Sequence, residues 1–232
     1  MTDITKNINI IRDKVAQAVL KSPLTHDPQD VTLIAVTKNH GVESMRKAID
    51  RNIAVIGENR VQEAESKYDV LDRLVSWHLI GHLQSNKAKK AVKLFDLIHS
   101  VDSLSLAEAI DTAARKEGKR QDILLQVNVA KDENKFGLEA DEVMSVAQEV
   151  CKLPNIRLCG LMTIAPFYED SEQARPAFRR LRELYQALKD AQLKGSEIQY
   201  LSMGMTHDFV VAVEEGANMI RVGTGIFGAR EY

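Results

Sequence analysis

The sequence predicts a (β/α)8 barrel, eight parallel strands ringed by helices, with one extra N-terminal helix. Three observations carry the prediction. Eight short runs rich in β-branched and aliphatic residues recur along 232 residues. Segments with apolar residues every three or four positions lie between them. No Gly/Ser/Pro-rich linker interrupts the alternation. Strands alternating with helices argue for parallel βαβ units, and right-handed crossovers carry eight such units round into closure. The length suits a single barrel, which typically runs to about 250 residues. A doubly wound open sheet is the alternative, and the count of eight favours closure.

The elements follow in order. In "MTDITKNINIIRDKV", Ile4, Ile8, Ile11 and Val15 repeat at helical spacing, which predicts an amphipathic first helix. Charges at Asp3, Lys6, Arg12 and Asp13 break it up too often for a signal-peptide core or a membrane span, so a cytoplasmic protein is expected. The first strand is "TLIAVT" (32–37), followed by the helix "VESMRKAID". "IAVIGEN" (53–59) and "SWHLIG" (76–81) are the second and third strands, with "VQEAESKYDVLDRL" helical between them. "DLIHSV" (96–101) leads into "LSLAEAIDTAARKEG", and "ILLQVNV" (123–129) into "EADEVMSVAQEVCKL". "RLCGLMTI" (157–164) precedes the long helix "EQARPAFRRLRELYQALKDAQL", and "IQYLSM" (198–203) and "MIRVG" (219–223) complete the eight. One domain over residues 1–232 is expected.

Composition excludes several classes. With 44% hydrophobic and 28% charged residues and a net charge of −2, the chain has ample core material and no bias towards nucleic acid. The basic stretch "NKAKKAVK" (86–93) reads as a solvated helix face. Cys151 and Cys159 make neither a zinc set nor a disulfide framework and are expected to be reduced and mostly buried. His78 and His82, four apart in "HLIGH", have no evident third ligand and read as satisfied polar side chains. Trp77 and Phe95 read as packing residues.

In such barrels the active site lies at the C-terminal ends of the strands, where the βα loops gather. The residues there are Lys38, Gly57-Glu58-Asn59, Gly81-His82, Asn128, Met162-Thr163, Ser202-Met203-Gly204 and Gly223-Thr224-Gly225. Strand 7 ends in "LSMGMTHDF" and strand 8 in "RVGTGIFG". Glycines let backbone N–H groups approach phosphate oxygens, and Ser202 and Thr224 add hydroxyls, so these turns form a candidate monophosphate cradle. "GTGIFG" (223–228) matches GxGxxG, but only Ala229, Arg230, Glu231 and Tyr232 follow, too little for a dinucleotide-binding unit. Closure makes strands 1 and 8 neighbours and sets Lys38 near Arg221. A nearby cation and desolvation both favour the neutral, nucleophilic amine, so a Schiff base with a phosphorylated aldehyde follows as a hypothesis.

These residues resemble the pyridoxal 5′-phosphate homeostasis proteins, single-barrel relatives of the alanine racemase N-terminal domain. The likeness runs through "AVTKN", "IGENRVQE", "WHLIGHLQSNK", "HSVDS", "QVNVAKDENKFGL", "GLMTIAP", "LSMGMTHDF" and "IRVGTGIFGAR", eight blocks in the family's order. It implies that Lys38 holds pyridoxal phosphate as a Schiff base. It further implies that Ser202, Gly223 and Thr224 hold the phosphate and that Arg221 faces the pyridine nitrogen. Asn59 and Met162 would line the pocket, with Met203 in the same cofactor-binding set. An arginine cannot stabilise a protonated ring nitrogen as a carboxylate does, so the cofactor would be a weak electron sink.

Racemases of this type use a second, β-rich domain that supplies a catalytic tyrosine, whereas this chain ends nine residues after Gly223. The expectation is therefore a monomeric, non-catalytic carrier that stores, buffers or delivers pyridoxal phosphate, with dependent apoenzymes as candidate partners and no role for nucleic acid or membrane. A weak amino-acid racemase and a cofactor-free Schiff-base aldolase are the alternatives. Lys135 in "DENKFGL" (132–138) is a candidate second aldehyde site, with Asp132 and Glu133 read as helix caps.

Overall fold

The structure, a computed structural model, describes residues 3–24, 27–71, 74–130 and 135–228. Helix α1 (Ile4–Val19) begins where the Asp3 carboxylate accepts the Lys6 N–H at 3.0 Å, satisfying an amide that the first turn leaves without a partner. Its buried Ile8, Ile11, Val15, Ala18 and Val19 sit at the spacing of one helical face.

Eight strands follow: β1 (Thr32–Val36), β2 (Val55–Glu58), β3 (Ser76–Leu79), β4 (Leu97–Val101), β5 (Gln121–Gln126), β6 (Ile156–Met162), β7 (Ser196–Met205) and β8 (Met219–Val222). Each pairs in parallel with the next, and β8 returns to β1 with Ile34 opposite Arg221 and Ala35 opposite Val222, so the barrel is closed. Helices α2 (Val42–Ile49), α3 (Val61–Tyr68), α4 (Ala88–Leu94), α5 (Leu104–Lys116), α6 (Val143–Val150) and α7 (Arg175–Ala191) fill the crossovers, with short α8 (Phe209–Glu214) and α9 (Thr224–Phe227) after β7 and β8. Among the described residues no helix is long and apolar enough to cross a membrane.

Side chains on a strand alternate between faces, and here the alternation separates two cores. Ile34, Val55, Leu97, Leu124, Cys159, Met162 and Met219 plug the barrel interior. Their neighbours, among them Ala35, Ile56, Ile98, Leu201, Met203 and Ile220, pack outward under the helices. Cys159 and Met162 share the interior although three residues apart, because β6 shifts register on both sides near Gly160. Gly160 adopts φ +151°, and a Cβ there would lie 1.8 Å from the Tyr200 carbonyl oxygen, so the bulge requires glycine.

The predicted and observed strands agree in number and order, with shifted ends. β5 starts two residues earlier than the pattern suggests, and β7 runs on to Met205. The helix expected across "VQEAESKYDVLDRL" stops at Tyr68. Trp77 and Phe95 are buried as expected. Cys151 and Cys159 are free thiols, half-buried and buried.

Candidate functional site

Lys38 follows β1 in a turn held from outside the barrel. The Lys67 ammonium, on α3, donates to the Thr37 carbonyl at 2.9 Å, to Glu58 Oε1 at 2.8 Å and to Glu63 Oε1 at 2.7 Å. The Thr37 hydroxyl donates to Glu58 Oε1 at 2.6 Å, and the Asn39 N–H donates to Glu63 Oε1 at 2.5 Å. Burial pushes the Glu58 carboxyl up, against the hydrogen bonds from Lys67 and Thr37. Burial acts on Glu63 in the same sense, but there the bonds from Lys67 and Asn39 prevail and hold it below the ordinary range.

Inside the barrel, Arg221 of β8 is buried. Its guanidinium donates to the Ser202 hydroxyl at 2.6 Å and to the Thr163 carbonyl at 2.8 Å. Ser202 Oγ lies 3.0 Å from His99 Nδ1, and His99 Nε2 lies 3.0 Å from His78 Nδ1. An arginine only donates, so Ser202 accepts from it, and among the described residues His99 Nδ1 is the acceptor that its own buried proton reaches. His99 then carries its proton on Nε2 and donates to His78. One polar thread thus runs from β8 through β7 and β4 to β3.

Its electrostatics follow from burial. Burial pushes Arg221 down to about 10, opposed by the field of Asp208, and leaves it charged at neutral pH. His78 is pushed down to about 4 by burial, partly offset by Asp96. His99 is held well below its ordinary value by burial, then by His78 and Arg221. Both imidazoles are neutral at pH 7. Among the described residues, Arg221 hydrogen-bonds to neutral acceptors, and no carboxylate contacts it.

Where β8 ends, the Gly223 and Gly225 N–H groups and the Thr224 hydroxyl all converge on Thr206 Oγ1, each at 3.3 Å. Three donors share an oxygen with two lone pairs, at distances beyond the usual 2.7–3.2 Å for N–H···O. The arrangement leaves donors that a stronger acceptor would take. A Cβ on Gly225 would lie 2.8 Å from Val222 Cγ1 and 3.1 Å from Thr206 Cγ2, so the turn closes up only with glycine. The Gly223 turn abuts β1, since a Cβ there would meet Val36 Cβ at 3.4 Å. His40, two residues after Lys38, packs against Phe227 of α9 with ring centroids 4.5 Å apart.

The structure therefore brings the Lys38 turn beside the Gly223 and Thr224 turn. Ser202 lies deeper, level with Met219, and binds Arg221 and His99. Met162 belongs to the interior plug and Met203 to the outer core. Asn59 follows β2 against Gly81, where a Cβ would lie 2.3 Å from the Asn59 carbonyl oxygen. His78 is satisfied by His99, and His82 sits 3.3 Å from Asp102 and stacks on Phe136. Among the described residues, no group of three metal-ligating side chains gathers. Lys135 reaches the Ile164 carbonyl at 3.4 Å; Asp132 and Glu133 lie outside the described residues, as do 229–232. Sequence reasoning passed over Thr206, His99 and Lys67. Thr206 stood in the quoted "LSMGMTHDF" and His99 in "HSVDS", and the Glu63–Lys67 spacing of one helical turn was the signal for the third.

Comparison with known proteins bears on this geometry. The family described as alanine racemase, N-terminal domain, matches residues 4–231. The "pyridoxal phosphate homeostasis protein" of Aquifex aeolicus is 43% identical over 201 residues, 86% of this chain and 87% of that one. The structure of PipY from Synechococcus elongatus PCC7942 with PLP bound superposes with a TM-score of 0.84 at 37% identity, covering 97% of this chain and 100% of PipY. Alanine racemase of Clostridium difficile 630 matches with a TM-score of 0.77 at 16% identity, over 99% of this chain and 57% of the racemase, a likeness of fold alone.

Proposed function

The chain belongs to the alanine racemase N-terminal domain family and, within it, to the pyridoxal phosphate homeostasis proteins, and on that footing we propose that it binds pyridoxal 5′-phosphate at the C-terminal mouth of the barrel, held as a Schiff base on Lys38. The observation that carries this reading is the set of under-satisfied donors at Thr206, beside the Lys38 turn and above a buried cation without a carboxylate partner. Both features call for an anionic ligand carrying a further acceptor.

The residues divide the work by depth. Gly223, Thr224, Gly225 and Thr206 hold the phosphate. Arg221 donates to the ring nitrogen, and Ser202 fixes Arg221 from below. Asn59 and Met162 line the pocket, and Met203, whose side chain packs outward, contributes main chain. Bound pyridoxal phosphate supplies an aldehyde that condenses with an amine, and the product absorbs visible light. Arg221 gives up no proton at neutral pH, so it does not turn the ring into a strong electron sink. The chain thus serves as a non-catalytic, monomeric, cytoplasmic single domain over residues 1–232 that stores, buffers or delivers the cofactor to dependent apoenzymes, without nucleic acid or membrane.

Titration of the purified protein with pyridoxal phosphate tests this. A visible band, removed by borohydride reduction and missing in Lys38→Ala, is the expected result; a protein that stays colourless overturns the reading. Sustained inversion of L-alanine in heavy water by the yellow protein would favour a racemase over a carrier.

A further inference from the structure

We infer that Lys67 is a positioning residue for Lys38, acting directly on the Thr37 carbonyl, through Glu58 on the Thr37 hydroxyl and through Glu63 on the Asn39 N–H; the inference rests on Lys38 being the cofactor lysine.

The donor count carries it. An ammonium has three N–H bonds, and Lys67 uses all three, on Thr37 O, Glu58 Oε1 and Glu63 Oε1. All three donors of Lys67 are thus engaged, and it is no rival for an aldehyde. What it grips is the frame of Lys38. On the N-terminal side, Thr37 is held twice, by its carbonyl on Lys67 and its hydroxyl on Glu58. On the C-terminal side, the Asn39 N–H is held by Glu63, the same carboxylate that Lys67 binds. Asn39 sits at φ +62°, a left-handed conformation that asparagine adopts more readily than other residues with side chains, and the Glu63 bond anchors its N–H there. Thr37 and Glu58 are fully buried and the network lies between β1, β2 and α3, with Thr37 in the outward phase of Ala35 and opposite the interior phase of Ile34. It can set the direction of Lys38 without touching what Lys38 binds.

Three variants test this with pyridoxal 5′-phosphate as probe: Lys67→Met, Lys67→Met combined with Glu58→Gln so that no lone charge stays buried, and Thr37→Val with Thr37→Ser as its conservative control. The readouts are visible circular dichroism per mole of bound cofactor and the rate of borohydride-trapped attachment at Lys38, both well below each variant's unfolding temperature. A misdirected lysine gives attachment slower by on the order of tenfold, since small misplacements cost rate steeply, and a reduced dichroic band at unchanged bound cofactor. Thr37→Ser restores both. Folded variants that match the wild type in rate and dichroism overturn the inference alone. If Lys67→Met does not fold, the double variant and Thr37→Val decide by the same readouts. A wild type that takes up no cofactor overturns the cofactor reading, and this inference with it.

Discussion

Arg221 donates to the Ser202 hydroxyl at 2.6 Å, and Ser202 in turn links that guanidinium to His99 and, through it, to His78. Ser202→Ala removes the only hydroxyl joining the two halves of the thread. It leaves a guanidinium N–H and His99 Nδ1 short of partners inside the barrel, at a cost of about 2 kcal/mol. The expected outcome is a lower urea midpoint with an unchanged slope, together with weaker retention of pyridoxal phosphate because Arg221 loses its lower support. A midpoint equal to the wild type's would show that the thread does not hold Arg221.

The two buried imidazoles make the fold acid-sensitive above the carboxylate range. His78 is depressed from 6.5 to about 4 in the folded protein, chiefly by burial. An unfolded chain therefore binds the proton first as pH falls, and stability drops below pH 6.5, with the loss growing until the folded pKa near 4 is reached. His78 alone accounts for about 3 kcal/mol by pH 4, and His99, shifted in the same direction, adds to it. Denaturant titrations from pH 7 to pH 4 check this. A His78→Gln, His99→Gln double variant should lose much of the slope, and a wild type flat between pH 6.5 and 5 would contradict the assignment of neutral, buried rings.

On the proposed function, a Thr206 variant distinguishes phosphate recognition from aldehyde chemistry. Its hydroxyl collects the Gly223, Thr224 and Gly225 donors at 3.3 Å. Thr206→Val keeps the shape but removes the oxygen around which the turn is organised. Pyridoxal phosphate should bind more weakly by on the order of tenfold, the worth of about one charge-assisted hydrogen bond. Pyridoxal, which lacks the phosphate, should bind the variant and the wild type alike. Equal losses for both ligands in a spectroscopic titration would place the phosphate elsewhere.

What the sequence revealed and what it concealed divide along physical lines. All eight strands were legible because a strand buried on both faces writes a continuous apolar run, and closure makes β1 and β8 neighbours, with Arg221 level with Ile34 and the Gly223 turn against Val36. Depth was not legible. Ser202 and Thr206 stand four residues apart on and just beyond one strand, yet Ser202 serves Arg221 and Thr206 serves the Gly223 turn. Which does which depends on how far β7 runs, and its extension to Met205 is set by pairing with β8. Nor was the direction of Met203, whose side chain the alternation at Ser202 turns outward. The phase change at Gly160 hid the interior partnership of Cys159 and Met162. His99 was one residue in a run, and its meaning came from closure, which lets it reach Ser202 of β7 across the barrel interior.

Arg221→Met tests whether charge or contact governs the thread. The substitution keeps an unbranched apolar stem and removes a buried cation whose partners are neutral. Removing an uncompensated buried charge costs little and can stabilise, so this variant should lose less stability than Ser202→Ala. The Ser202 hydroxyl keeps His99 as a partner, and the thread below is intact. His99 should nevertheless respond. Its pKa is held down by burial, by His78 and by the Arg221 charge, and only the third is taken away. The ring should titrate at a higher pH than in the wild type while staying below the ordinary histidine value, and NMR of the imidazole reads this directly. Pyridoxal phosphate retention should fall in the same protein, because the proposed donor to the ring nitrogen is gone. A variant that binds the cofactor as tightly as the wild type, with His99 unmoved, would mean that Arg221 serves packing alone.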